Sequence, residues 1–193
     1  MTEQDQDNRP HLWLEKLSLI LLGKPRSRAG LIEILRASQQ RGLLTAESLR
    51  IIEGALTVSE MQAGEIMVPR SQVVFARIDE DPQELLSTVI ESGHSRFPVT
   101  GENPDDVIGI LLAKDLLSLA ANGQQKRFNL RDYLRPYTAI PESKRLNILL
   151  QEFRSTHNHL AVVYDEYGGI SGIVTIEDVL EQIVGDIEDE FDA

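Results

Sequence analysis

The sequence predicts an α/β fold in which a helical segment precedes two β-α-β-β-α units related by a pseudo-twofold axis. Three observations carry this reading. "GILLAKDLLSLA" at residues 109–120 returns as "GIVTIEDVLEQI" at residues 172–183, so a glycine, an aliphatic strand and an acid at the head of a leucine-rich helix occur twice. The spacing is 63 residues without a gap, from Pro98 and Ala161 through Gly109 and Gly172 to Asp115 and Asp178. Before about residue 64, apolar residues instead recur every three or four positions, the helical period.

Residues 1–63 form the helical lead-in, opening on the polar stretch "MTEQDQDNRP". Leu31, Ile34 and Leu35, then Leu49, Ile52 and Leu56, mark two amphipathic helices, and Thr45 with Glu47 and Ser48 is a helix start. "GKPRSRAG" at residues 23–30 reads as a linker. The first repeat covers residues 64–125. In order it holds an extended segment "MVPRSQVVFARI", a helix with Leu85, Leu86, Val89 and Ile90 on its apolar face, a strand "SRFPVT", a turn, a strand "VIGILL" and the helix "AKDLLSLA". The second repeat, residues 126–186, follows the same order. It holds "LRPYTAI", a helix with Leu146, Leu149, Leu150 and Phe153, the strands "HLAVVYD" and "ISGIVT" around an "EYGG" turn, and the helix "IEDVLEQIV". Residues 187–193 are an acidic tail. Pro69 and Pro136 in the two opening segments are 67 residues apart, so a four-residue length difference must be absorbed on the way. One unit has little interior alone, whereas two share a core and create two related clefts.

Composition narrows the function. A hydrophobic content of 41% supports a buried core, and a net charge of −12 repels nucleic-acid phosphate. With 5% aromatic residues, base-stacking platforms are scarce, so no nucleic-acid partner is expected. The absence of cysteine removes disulfides, thiolate zinc sites and a cysteine nucleophile, and the expected home is the cytoplasm. The longest apolar stretch, "LWLEKLSLILLG" at residues 12–23, is broken by Glu15 and Lys16 and is too short to span a bilayer. It reads as a helix that packs on the core or a partner, or lies peripherally on the inner face of a membrane. No signal peptide is expected.

The repeated phrase has two chemical readings. In the first, Thr175 is an N-cap and Asp178, at the third helical position, completes a capping box. In the second, the Asp178 carboxylate accepts hydrogen bonds from ribose hydroxyls while Thr175 and the free N–H groups of the helix start meet phosphate. Gly172 then permits close backbone approach. The first copy keeps Asp115 but has Leu112 in place of Thr175, so its cleft, with Asp115 and Asn158, is expected to be the weaker or empty one. Phosphate needs positive charge, and Arg96 in "HSRFPV", beside His94 and Ser95, supplies a permanent planar fork. A lone surface arginine is ordinarily just solvated; its coupling to the Thr175/Asp178 phrase is what makes it a candidate.

"IMVPRSQVV", "SGHSRFPV", "GILLAKDLL", "IPESKRLNILLQEFR" and "NHLAVVYDEYGGISGIVTIEDVLEQIVGDIEDE" resemble the paired CBS repeats, or Bateman module, of the CorC/HlyC family, associated with magnesium and cobalt efflux. The resemblance covers about residues 60–190. It implies an adenine-nucleotide site for AMP or ATP. Thr175 and Asp178 would hold the ribose, His94, Ser95, Arg96, Phe97 and Pro98 would lie at phosphate and base, and Val68 and Val73 would lie against adenine. It further implies a regulatory homodimer, Mg²⁺ arriving with ATP, and a membrane ion-transport protein as partner. The family's membrane domain is not visible before the repeats.

Other constellations are weaker. Asp186, Glu188, Asp189, Glu190 and Asp192 can attract a hard divalent cation, though such runs are more often solvated. His157 and His159 flank Asn158 and make a weak transition-metal pair, so no metal site is expected. No nucleophile triad, P-loop or metalloprotease pattern is present, so a non-enzyme is expected. The competing function is a ligand-free interaction module that dimerises through its repeats and docks a partner on its N-terminal helices.

Overall fold

The computed structural model describes residues 25, 27–116 and 129–185. The apolar stretch at 12–23, the last part of the "AKDLLSLA" helix and the acidic tail lie outside those residues. Two units are distinguished, one ending at Glu53 and the other beginning at Gly54.

In the first unit, helix α1 (Arg28–Gln40) starts where the Ser27 hydroxyl accepts the Gly30 N–H at 3.2 Å. Helix α2 (Ala46–Val58) starts after Thr45, whose Oγ1 accepts the Ser48 N–H at 3.0 Å. Arg36 Nε donates to Glu53 Oε1 at 2.9 Å and ties α1 to α2. Helix α1 buries no residue completely.

The second unit holds both repeats. Its elements are α3 (Ala63–Ile66), β1 (Val68–Pro69), β2 (Ala76–Arg77), α4 (Pro82–Ser92), β3 (Arg96–Thr100) and β4 (Val107–Leu112). After these come β5 (Thr138–Pro141), α5 (Leu146–Thr156), β6 (Leu160–Tyr164), β7 (Ile170–Thr175) and α6 (Ile176–Val184). One sheet runs β2-β3-β4 and the other β1-β7-β6-β5. In each, a parallel pair, β2/β3 or β5/β6, is joined by a helix because parallel neighbours need a crossover, and an antiparallel hairpin follows.

The extended segment that the sequence places within the first repeat is divided between the two. Strand β2 stays with β3, but β1 crosses to the second repeat's sheet, where Val68 pairs with Ile173 and Pro69 with Gly172. A Cβ at residue 172 would overlap the Val68 carbonyl, so the bare glycine backbone is what admits β1. The close approach expected at Gly172 is thus made by another strand. The exchange is reciprocal: Arg135 bridges Ile110 of β4, and its carbonyl faces Gly109. Val68 and Arg135, 67 residues apart, therefore occupy equivalent places. Ala76 and Ala139, paired with Val99 and Val162, are back in the 63-residue spacing. The four additional residues fall between Val68 and Ala76, where the chain makes a 3₁₀ turn at Arg70–Gln72.

Each sheet buries one face against its own helices. Leu85 and Val89 of α4 meet Phe97, Val99 and Leu111; Leu146, Leu149 and Phe153 of α5 meet Ala161, Val163 and Val174. Burying side chains of this size contributes about 1.5–3 kcal/mol each. Ile90, read as part of the apolar face of α4, is instead 62% exposed, because the inward stripe runs through Leu85 and Val89. A third cluster, Val107 and Ile110 with Leu160, Val162 and Ile170, joins the repeats to one another. The clefts open beside this shared core.

Candidate functional site

In strand β7, Gly172 and Val174 face the core beneath α5, while Ile173 and Thr175, opposite Val162 and Leu160, share the other face; the register shift at Val163/Tyr164 puts Ile170 on that other face as well. Helix α6 follows at once. The Thr175 N–H donates to Asp178 Oδ2 at 2.6 Å, the Thr175 hydroxyl donates to the same oxygen at 2.8 Å, and the Asp178 N–H donates to Thr175 Oγ1 at 3.2 Å. The capping box is therefore formed. It uses Oδ2 alone, and among the described residues no donor meets Oδ1.

These groups line a cavity of about 540 Å³ between the repeats. Val68, Val73, His94, Ser95, Arg96, Pro98, Thr175 and Asp178 all border it, although they come from three separate stretches of chain, 68–73, 94–98 and 175–178. Gly93 ends α4 with φ +67°, a left-handed turn that sends the His94–Ser95 loop toward the cavity before β3 begins at Arg96. Strand β1, held against β7, brings Val68 to the far wall. Phe97 is the exception. Its side chain is fully buried in the first repeat's core, because adjacent strand residues face opposite ways and Arg96 faces the cavity. Phe97 is thus removed from the base-contacting set.

Gln72, Val74, Leu160, Ile173 and Glu177 also border the cavity and were not read as site residues. The two-residue period back from Thr175 was the available signal for Ile173. Leu160 follows from its pairing opposite Thr175, which the sequence did not specify. Glu177 Oε1 lies 4.0 Å from Arg96 Nη1 and 3.8 Å from His159 Nδ1, so a carboxylate already stands among the cationic groups. A phosphate approaching Arg96 must move this carboxylate aside or arrive with a divalent cation that neutralises it.

The first repeat's cleft is about 280 Å³ and is bordered by Arg96, Leu112, Arg135, His157, Asn158 and His159. Arg135 Nη2 donates to Asp115 Oδ2 at 3.0 Å. Asn158 Nδ2 donates to Thr138 Oγ1 at 3.0 Å. His157 caps the end of α5 with φ +56°. A neighbouring hollow of about 500 Å³ shares Arg96 but is walled by Val89, Ile90 and Ala113, and neither Thr175 nor Asp178 borders it. Among the described residues no three His, Asp or Glu side chains converge to hold a metal ion, and no helix is long and apolar enough to cross a membrane.

The family model described as the CBS domain matches twice, at residues 63–122 and 130–185. The chain belongs to the CBS-domain family. Within it the likeness is to the CorC/HlyC branch. The chain is 47% identical over 170 residues to the magnesium and cobalt efflux protein CorC of Pasteurella multocida, an alignment covering 88% of this chain and 56% of that protein. The chain thus spans less than two thirds of this relative's length. A second model, described as the N-terminal region of NMB0537, matches residues 23–58. Among solved structures, the CBS domain of a bacterial CNNM/CorC family Mg²⁺ transporter is 34% identical with a TM-score of 0.77, covering 86% of this chain and all of that one. The structure of such a domain in complex with ATP is 36% identical with a TM-score of 0.67, covering 72% and 97%. A CBS-domain pair from Klebsiella pneumoniae with bound AMP is 31% identical with a TM-score of 0.57, covering 65% and 99%. The CorC relatives are named as magnesium and cobalt efflux proteins.

Proposed function

We propose that this chain binds an adenine nucleotide, ATP or AMP, in the larger cleft and that occupancy sets the activity of a magnesium and cobalt efflux apparatus. One observation carries the reading: the cavity between the repeats has a carboxylate oxygen of Asp178 without a donor among the described residues, an arginine fork at Arg96, and an apolar wall of Val68, Val73 and Ile173. These are the chemistries of ribose hydroxyl, phosphate and purine. The relatives solved with ATP and with AMP support it.

Thr175 and Asp178 bind ribose, Ser95 and Arg96 bind phosphate, and Mg²⁺ enters on the phosphates beside Glu177. The role is regulatory, not catalytic, at the cytoplasmic side of the membrane. The partner is a membrane ion-transport protein, and the repeats form a homodimer; Ile90, Ile148 and Leu180 leave apolar side chains exposed on α4, α5 and α6.

Calorimetric titration with ATP and AMP, each with and without Mg²⁺, tests this against Asp178→Ala. Saturable binding that the variant loses supports the reading. Equal affinity in the folded variant leaves the Thr175/Asp178 pair as a helix cap only, within a ligand-free interaction module.

A further inference from the structure

We propose that Gln72 reads the base in the larger cleft and selects adenine over guanine. The inference deepens the nucleotide reading of that cleft and rests on it. It starts from the four residues that the first repeat carries between Val68 and Ala76 and the second repeat lacks between Arg135 and Ala139. They make room for the 3₁₀ turn Arg70–Gln72, closed where the Val73 N–H donates to the Arg70 carbonyl at 3.2 Å.

The turn is strung between the two sheets. Before it, β1 pairs with β7 in one sheet; after it, β2 pairs with β3 in the other. Its residues therefore cross from the second repeat to the first along the cavity wall, and Arg70 ties them to the β3–β4 turn by donating to the Pro104 carbonyl at 3.4 Å and pairing with Asp105. Gln72 and Val73 both border the cavity as a result. The matching stretch of the second repeat passes from Arg135 to β5 without such a turn.

Most polar side chains of this cavity already have a ligand group to meet: Thr175 and Asp178 the ribose, Ser95 and Arg96 the phosphate, Glu177 the Mg²⁺. His94 and Gln72 remain. The His94 ring lies against Phe97, with centroids 6.2 Å apart. Gln72 stands beside Val73 on the wall assigned to the purine, and among the described residues its amide makes no hydrogen bond. A carboxamide presents a donor and an acceptor side by side, which matches N7 and the N6 amino group of adenine. Guanine carries acceptors, O6 and N7, at both places, so the amide oxygen would face a like group. Val68, Val73 and Ile173 supply apolar area that either purine fills equally, so on this wall discrimination falls to the amide.

The test is calorimetric titration of the full chain with ATP and with GTP at one Mg²⁺ concentration, comparing wild type with Gln72→Leu. Wild type should prefer ATP, and the variant should bind ATP about tenfold more weakly while its GTP affinity changes by less than about twofold. A wild type that binds GTP as well as ATP or better, or a variant whose ATP-to-GTP affinity ratio is unchanged, overturns this inference and leaves the larger site standing. Absence of binding of either nucleotide to wild type overturns the nucleotide reading, and with it the inference. Circular dichroism establishes that the variant is folded; should it not fold, Gln72→Ala is held to the same ratio, and an unchanged ratio overturns the inference.

Discussion

The carbonyl of Val68 stands where a side chain on residue 172 would begin, so strand β1 enters the second repeat's sheet only because Gly172 has none. Alanine at 172 must push β1 outward or bend β7, a form of overpacking that costs about 1–3 kcal/mol. Gly109→Ala meets the Arg135 carbonyl and the Leu134 Cβ at 3.0 Å, a looser fit. Urea unfolding should rank Gly172→Ala as the more destabilising of the two. The reverse order would show that β1 yields more easily than the bridge at Arg135.

The cap on α6 can be separated from ligand binding. Thr175 accepts the Asp178 N–H and is bonded back by Asp178, so Thr175→Ala should lower stability by about 1 kcal/mol. Thr175→Ser keeps the hydroxyl and should restore both the melting temperature and nucleotide affinity. A serine variant that melts normally but binds poorly would assign the threonine methyl group to the ligand.

Phe153 is 1% exposed and sits at the centre of the second repeat's core between α5 and the sheet. Its truncation to alanine removes buried area and leaves a cavity, at a cost of about 3–5 kcal/mol. Denaturant titration of Phe153→Ala should show a midpoint shift of that size. A change below about 1 kcal/mol would mean that the core collapses around the gap.

The Tyr137 and Tyr164 hydroxyls are 3.2 Å apart, and burial followed by this hydrogen bond raises the Tyr164 phenol well above the ordinary value of 10.0. The folded state thus retains a proton that the unfolded chain releases near pH 10. Its stabilising contribution is complete below that pH and is lost as pH rises above it. The melting temperature of the wild type should fall more steeply than that of Tyr164→Phe between pH about 9 and about 11. Parallel curves would place the alkaline loss of stability on other groups.

Much of this molecule is legible in the chain because its periodicities are local. Leu85 with Val89, and Leu146 with Leu149 and Phe153, announce helices that bury one face. The exact 63-residue recurrence announces the duplicated hairpins. The Thr175/Asp178 pairing follows from positions three apart at a helix start. Phe97 was less legible: next to Arg96 in a strand, the two must face opposite ways, and local pattern alone did not say which one faces the cleft.

The sequence by itself determined the two repeats, the helices that cover them, the capping box and the cation at Arg96, since each depends on residues within a few positions of one another. Tertiary structure decided the rest. Strand β1 crosses to the other repeat because a glycine 104 residues away leaves space for its backbone. That crossing brings Val68 to one cleft and Arg135 to the other, joining Arg135 to an aspartate 20 residues back in the chain. Two nearly identical phrases become clefts of about 540 and about 280 Å³, because the side chain across each cleft, Val68 or Arg135, is set by a long-range strand pairing that no local pattern encodes.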